Sequence, residues 1–330
     1  MIADGTTQLQ SPPTRETRFP LPSGSGSVRC LLRLLVSAWL SVGSLGLARA
    51  ESPAPVIDVH VHTWFPAMAQ AYKDDRYSNA QVMRDYKKLM DEMNIVRAVL
   101  SGPDPKTVAE WLNHGDTRFI PALMIGSTLT PRREHEIRRW VRSGQIAVLG
   151  EVGLEYAGMS PADPAYEAYF KLAAELDVPL AVHMGPVTPA KPLLGLKNAL
   201  VRNGDPLLLE DALNKYPNVR LQVMHAGWPF TDHMIAIMVA YPNVYVDVAN
   251  TAYAFGPADF HYHLKRLVDA GLSKRIMWGS DTSGPFEIDK AVRESLANIL
   301  NADFLTDEQR RDILHDNAVR FFRLNMPQGQ

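Results

Sequence analysis

The sequence predicts an α/β protein, a (β/α)8 TIM barrel that forms a single domain after an N-terminal signal peptide. Two observations predict the barrel. Eight short β-rich runs alternate with segments of helical spacing between Val56 and Leu324, which suits a barrel in size and order. No Gly-rich dinucleotide fingerprint follows the first run, which disfavours the rival fold, an open doubly wound sheet.

The predicted strands are short runs rich in Val, Ile and Leu. In chain order they cover Val56–Val61, Ile95–Leu100, Phe119–Ile125, Ile146–Val152, Leu180–His183, Val219–His225, Val244–Val248 and Arg275–Gly279. The segments between them place apolar residues three or four positions apart, which indicates helices. These segments cover Gln81–Met93, Pro131–Arg142, Ala165–Leu176, Pro206–Lys215, Asp232–Tyr241, Pro257–Asp269, Ile288–Leu300 and Asp307–Leu324.

The first fifty residues differ from the rest of the chain. Arg29 and Arg33 lead into an apolar run, Leu34–Leu47, which is followed by Ala48-Arg49-Ala50. Positive charge, a short apolar core and an Ala-x-Ala site are typical of a secretory signal. The run is shorter than the about 20 apolar residues that span a membrane, so we expect no stable membrane anchor after cleavage; a retained anchor is the alternative. We therefore expect an exported protein, periplasmic or secreted. Residues 1–50 would form an N-terminal extension and signal peptide, and residues 51–330 would form the barrel.

The composition, 46% hydrophobic and 21% charged residues, is that of an ordinary globular protein. The formal net charge is -2 and no run of basic residues occurs, so a nucleic-acid partner is not expected. The only cysteine, Cys30, lies in the segment that cleavage would remove. A metal in the barrel would therefore bind to imidazole and carboxylate groups, which suit zinc, iron or manganese.

Metal-binding side chains terminate several predicted strands. In the first strand His60 and His62 are two positions apart, so both imidazoles lie on one face. Barrel enzymes carry their active sites where the strands end. Each side chain alone is typical of a structural residue, for example a helix cap, but together they predict a metal centre. The set consists of His60, His62, Glu151, His183, His225 and Asp281.

The other histidines serve as a control. His261 and His263 are also two positions apart, but they lie in a predicted helix, where such residues do not face each other. We expect them at the surface or at the rim of the substrate site. The remaining histidines fall in helices or at helix ends and are interpreted as structural; they are His114, His135, His233 and His315.

Six motifs together resemble the amidohydrolase superfamily, most closely its amidohydrolase-related branch. They are Asp58-Val-His60-Val-His62, Gly150-Glu151-Val-Gly, Val182-His183, His225-Ala-Gly-Trp-Pro, Asn243-Val-Tyr-Val-Asp247 and Gly279-Ser-Asp281. That branch includes lactonases, amide and ester hydrolases, and non-oxidative decarboxylases. One motif departs from the pattern, because Gly-Glu-x-Gly-Leu on the fourth strand is similar to the metal-dependent deoxyribonucleases of the TatD type.

The resemblance implies roles for these residues. His60, His62, His183 and Asp281 match the ligands of one divalent metal, most simply Zn, with Mn or Fe as alternatives. His225 matches the residue that polarises the substrate or binds a second metal. Glu151 matches a metal ligand of the TatD type. If it bridges, one ion lies with His60, His62 and Asp281 and the other with His183 and His225; otherwise one ion suffices. Asp58 is expected to orient the first two histidines.

The chemistry implied is hydrolysis of a small-molecule ester, lactone or amide by metal-activated water. Asp281 would act as the general base and His225 would stabilise the oxyanion. Two alternatives remain open: a non-oxidative decarboxylase of a small aromatic or unsaturated carboxylic acid, and a TatD-like phosphodiesterase or nuclease. A homo-oligomer is also left open. Aromatic side chains near the strand ends suit a small, partly apolar substrate, and Lys191 would meet its carboxylate. These aromatic residues are Trp64, Tyr156 and Trp228.

Overall fold

The computed structural model describes residues 54–64, 76–112, 116–187, 192–193, 196–282 and 288–326. Its eight parallel strands follow one another around a nearly closed barrel in chain order, which confirms the predicted TIM barrel. The strands are β1 (Val56–His62), β2 (Ile95–Gly102), β3 (Phe119–Ile125), β4 (Val148–Val152), β5 (Leu180–His183), β6 (Leu221–Met224), β7 (Val244–Asp247) and β8 (Ile276–Met277).

Helices follow the strands on the outside of the barrel, and four of those that the structure describes begin with proline. In the part of the chain that the structure describes they are α1 (Asn79–Glu92), α2 (Pro105–Leu112), α3 (Pro131–Arg142), α4 (Pro164–Leu176), α5 (Glu210–Lys215), α6 (Thr231–Ala240), α7 (Thr251–Ala254), α8 (Pro257–Asp269), α9 (Ile288–Leu300), α10 (Asp307–Arg311) and α11 (Asn317–Phe322). No described helix is both long and apolar enough to cross a bilayer.

The barrel closes between β1 and the residues that follow β8. The backbone N–H of Asp281 donates to the carbonyl of His60 at 2.8 Å, and the N–H of His62 donates to the carbonyl of Thr282 at 2.9 Å. The same hydrogen bonds bring Asp281 beside the two histidines of β1. The hydrogen bonds that close the barrel therefore also place Asp281 in the site.

β1 does not keep the strict alternation that the sequence predicts. Its register against β2 shifts between Asp58 and Val61. Asp58 Oδ1 accepts the backbone N–H groups of His60 at 3.1 Å and of Ser280 at 2.9 Å, while its Oδ2 accepts from Tyr86 of α1 at 2.8 Å. Asp58 thus holds the backbone of the His60 segment and ties it to a helix outside the barrel. A bulge of this kind re-aims the side chains that follow it.

Three expectations about elements need correction. α2 and α7 were not predicted. The predicted last helix is divided by a π-turn, Asp312–Asp316, whose Ile313 carbonyl accepts the N–H of Trp278 at 2.9 Å. β6 ends at Met224 rather than at His225, because the φ of His225 is 58°.

Candidate metal centre

The two histidines of β1 face each other and two carboxylates. Their Nε2 atoms lie 3.0 Å apart. Asp281 Oδ1 lies 3.3 Å from His60 Nε2 and 3.2 Å from His62 Nε2, and Glu151 Oε2 lies 3.7 and 3.2 Å from the same two atoms. The two histidines are buried, and the side chains of Glu151 and Asp281 are only 12% and 14% exposed. Two nitrogen and two oxygen donors therefore surround one point.

His183 and His225 form a second group on the other side of Glu151. His183 Nδ1 lies 3.2 Å from His225 Nε2. Glu151 Oε1 lies 2.5 Å from His183 Nδ1 and 4.0 Å from His225 Nε2. The two oxygens of Glu151 thus face different histidine pairs, with Oε2 toward β1 and Oε1 toward β5 and β6.

Backbone carbonyls fix the tautomers of the second pair. His183 Nε2 lies 3.0 Å from the carbonyl of Pro186, and His225 Nδ1 lies 3.0 Å from the carbonyl of Ala249. A carbonyl only accepts, so these nitrogens carry the protons and, in neutral rings, the facing Nδ1 and Nε2 atoms carry lone pairs. Two lone pairs 3.2 Å apart repel each other unless a proton or a metal cation lies between them. The donor set therefore fits a metal.

Charges in the site shift pKa values in opposite directions. Burial raises the pKa values of Glu151 and Asp281, but the neighbouring histidines outweigh it and hold both below the ordinary carboxyl range. Burial lowers the pKa of His183, but Glu155 and Glu151 more than offset it and raise this pKa to about 9. Burial and the charge of His183 lower the pKa of His225. Without a metal, protons on imidazole balance the carboxylates.

A model of a protein family, described as amidohydrolase, matches residues 57–324. The chain belongs to the amidohydrolase family. Membership confirms the predictions of an enzyme and of a hydrolase of the amidohydrolase type. Amidohydrolases bind a divalent metal, and groups of His, Asp and Glu that can hold one occur in this amidohydrolase: His60, His62 and Glu151; Glu151, His183 and His225; and His60, His225 and Asp247.

A curated relative matches part of this amidohydrolase. Protein fluG of Emericella nidulans is 24% identical over 161 residues, which are 44% of this chain. The matched segment spans 18% of the length of that relative.

Solved structures share the fold at low identity. A putative 2-pyrone-4,6-dicarboxylic acid hydrolase from Pseudomonas putida has a TM-score of 0.60 at 16% identity, covering 83% of this chain and 99% of that one. An amidohydrolase from Burkholderia multivorans with bound zinc has a TM-score of 0.55 at 15% identity, covering 82% and 100%. The 5-carboxyvanillate decarboxylase LigW from Sphingomonas paucimobilis has a TM-score of 0.52 at 14% identity, covering 82% and 99%. At these identities the similarity shows the fold.

The three aromatic residues predicted to bind substrate have different surroundings. The half-buried ring of Tyr156 lies 5.1 Å from the ring of His183 at 62°, next to the centre. Trp228 follows His225, stacks on Phe255 at 3.9 Å and donates from Nε1 to Asp259 at 3.0 Å. Trp64 is 3% exposed in the core. Its Nε1 donates to the carbonyl of Tyr77 at 3.1 Å, and this packing does not support the predicted substrate contact.

The control histidines lie outside the centre, but one expectation about them is wrong. His263 is buried rather than at the surface, with Nδ1 2.6 Å from the Thr231 hydroxyl. His261 Nε2 lies 2.8 Å from the carbonyl of Asn298. Other predictions lie outside the described residues: the signal peptide, Cys30, His114 and Lys191.

Sequence reasoning gave no role to three residues of the centre. Asp247 ends β7 in a motif that the resemblance included, and its Oδ2 lies 3.5 Å from His60 Nδ1. Glu155 is buried after β4; its Oε2 accepts from Tyr166, and its Oε1, 3.9 Å from His183 Nε2, has no hydrogen-bond partner among the described residues. Asn250 follows β7 and donates from Nδ2 to Asp281 Oδ2 at 3.1 Å. Only the position of Asp247 at a strand end was a signal in the sequence.

Proposed function

We propose that this amidohydrolase hydrolyses a small-molecule ester, lactone or amide at a centre that holds two divalent cations. The observation that carries the proposal is the placement of Glu151, which turns one oxygen to each histidine pair. His60, His62 and Asp281 would hold one cation and His183 and His225 the other. Glu151 would contact both, as the likeness to the TatD type implies.

The donor set supports zinc as the proposed metal. Four imidazoles and two carboxylates are nitrogen and oxygen donors that zinc accepts, and manganese or iron also bind to such sets. The similar amidohydrolase from Burkholderia multivorans contains zinc. When bound, the metal supplies Lewis acidity, which polarises a carbonyl and makes water more acidic.

The protein's own side chains would supply the general base and the substrate contacts. Asp281 is the proposed general base, because its low pKa keeps it ionised and its Oδ1 faces the histidines of β1. His225 is better suited to hold the metal than to donate to an oxyanion, since its proton lies on Nδ1 and is bonded to Ala249. Tyr156 and Trp228 offer ring surfaces for the substrate beside the centre.

The proposed reaction is tested with panels of lactones, esters, amides, aromatic carboxylic acids and oligonucleotides, each with zinc-loaded and chelator-treated protein. Hydrolysis of an ester, lactone or amide that is lost with chelator and restored by zinc is expected. Release of carbon dioxide without hydrolysis would favour the decarboxylase, the reaction of the similar Sphingomonas paucimobilis enzyme. Cleavage of oligonucleotides alone would favour the TatD-like phosphodiesterase.

The proposed bridging role is tested by elemental analysis of protein purified without chelator. We expect two equivalents of metal in the wild type and one or none in Glu151→Gln, because the amide offers only one neutral oxygen donor. Glu294→Gln, an exposed position on α9, is the matched control and keeps two equivalents. Two equivalents retained in Glu151→Gln would refute the bridging role.

We also propose that residues 1–50 direct export to the periplasm or the outside of the cell. The proposed partner is a small-molecule substrate rather than a nucleic acid, and a homo-oligomer is left open. The support for export is the sequence pattern of charge, apolar run and Ala-x-Ala site. N-terminal sequencing of the protein isolated from its host is expected to begin at Glu51. An intact segment upstream of Arg29 would contradict export by cleavage.

A further inference from the structure

The turn that follows β7 contacts Asp281, the proposed general base, and His225, a proposed metal ligand. Asp247 Oδ1 accepts the backbone N–H groups of His225 and Ala249, each at 3.0 Å. The carbonyl of Ala249 accepts from His225 Nδ1 at 3.0 Å, and Asn250 Nδ2 donates to Asp281 Oδ2 at 3.1 Å. Three residues of one turn thus contact the residues that follow β6 and β8.

This turn has a strained backbone at Asn250. Its φ and ψ are 61° and -54°, and the N–H of Thr251 donates to the carbonyl of Ala249 at 2.6 Å. These values define a γ-turn with positive φ, the rarer and more strained of the two γ-turn types. Glycine adopts positive φ at little cost, yet the position carries Asn. Strain of this kind persists where the surrounding structure enforces it, and it is frequent at active sites.

We propose that Asn250 is a positioning residue for Asp281, which rests on the proposed function of the metal centre. The amide holds Oδ2, so that Oδ1 stays directed at His60 and His62, 3.3 and 3.2 Å away. The final torsion of an aspartate side chain has a broad range of favourable values, so it does not fix the plane of the carboxylate by itself. A donor on one oxygen selects the orientation in which the other oxygen faces the centre.

Residues that orient metal ligands typically change metal affinity by about 10- to 100-fold when they are removed. Two substitutions separate the effect of the strained backbone at Asn250 from the effect of its side-chain amide. Asn250→Gly and Asn250→Ala both delete the amide, but only Ala, with its Cβ, remains strained at positive φ. The proposal therefore predicts the same loss of metal affinity in both variants but a fall in melting temperature only in Asn250→Ala.

The experiment is a titration of Co²⁺ into the metal-free full chain against a competing chelator, with the visible spectrum recorded. Asn250→Gly and Asn250→Ala are expected to bind Co²⁺ about 10-fold more weakly than the wild type, with an altered spectrum. The melting temperature should stay at or above the wild-type value in Asn250→Gly and fall in Asn250→Ala. Asn94→Gly is the matched control, because Asn94 also has a positive φ, 51°, but lies between α1 and β2.

Each outcome decides one question. If the wild type takes up no Co²⁺, the proposed function fails. If the wild type binds Co²⁺ and Asn250→Gly binds it with equal affinity and an unchanged spectrum, Asn250 does not position Asp281. A loss that occurs in Asn250→Ala but not in Asn250→Gly would assign the effect to the backbone and overturn the inference.

Discussion

At His183, protonation and the proposed metal binding would compete for the same nitrogen. Its Nε2 is bonded to the carbonyl of Pro186, so Nδ1 carries the second proton when the ring is charged. Burial alone would keep the ring neutral, but Glu155 and Glu151 raise its pKa to about 9. A cation that binds at Nδ1 must displace this proton.

Metal affinity should therefore depend on pH. Below a pKa of about 9 the proton is present, so displacement of this one proton makes the affinity rise by about tenfold from pH 7 to pH 8 and by about fivefold from pH 8 to pH 9. Chelator competition with Zn²⁺ at several pH values measures this slope, and calorimetry in two buffers counts the protons released. An affinity that is flat over this range would contradict the proposed contact of His183 with the metal.

Glu155 is expected to contribute to this pH dependence of metal affinity. Its carboxylate makes the largest of the charge contributions that raise the pKa of His183. Glu155→Gln keeps the size of the side chain and an oxygen for the Tyr166 hydroxyl, but removes the charge. The rise of Zn²⁺ affinity should level off at a lower pH in this variant, and the exposed Glu294→Gln should match the wild type. An unchanged profile in Glu155→Gln would exclude the role.

At the scale of elements, His263 joins α8 to Thr231, the first residue of α6. Burial lowers its pKa to about 4, against 6.5 for the free side chain. Between these values the unfolded chain binds the proton and the folded chain does not, so the free energy of unfolding falls as pH drops from 6.5 to 4. The loss amounts to about 3 kcal/mol.

Urea unfolding at pH 7 and pH 4.5 tests this prediction. The free energy of unfolding should change less between pH 7 and pH 4.5 in His263→Leu than in the wild type, because the other titrating groups are common to both proteins. Equal differences would show that His263 does not stay neutral in the folded protein.

Gly150 sets the distance between β4 and β5. A Cβ at this position would lie 2.5 Å from the Cβ of Ala181, so Gly150→Ala must push the strands apart. Overpacking of this kind costs about 1–3 kcal/mol. Gly126→Ala is the matched control, because a Cβ there meets nothing within 4 Å, and its effect should stay within about 0.5 kcal/mol. Urea unfolding of the two variants compares them, and equal stabilities would contradict the packing at Gly150.

The elements predicted from the sequence are those in which apolar residues recur at a regular spacing. α3 and α8 have the predicted bounds because proline starts each helix and apolar residues recur along it. α2 has eight residues with two buried apolar side chains after its proline, Val108 and Trp111, which is too few to define a period. The bulge in β1 depends on Asp58 meeting Tyr86 and Ser280, which are distant in sequence.

For the whole molecule, barrel topology explains which parts of the site were predictable. Strand ends meet at one mouth, so His60, His62, Glu151, His183, His225 and Asp281 were identified without coordinates. The supporting residues were not, because their roles depend on backbone torsions and on contacts between distant segments. Asn250, for example, meets Asp281 only because β7 and β8 are neighbours.

The most direct test of the two-cation centre is anomalous diffraction at the zinc edge from crystals of the zinc-loaded protein. We predict two peaks, one among His60, His62 and Asp281 and one between His183 and His225, with Glu151 contacting both. A single peak, or zinc bound away from these residues, would contradict the proposed centre.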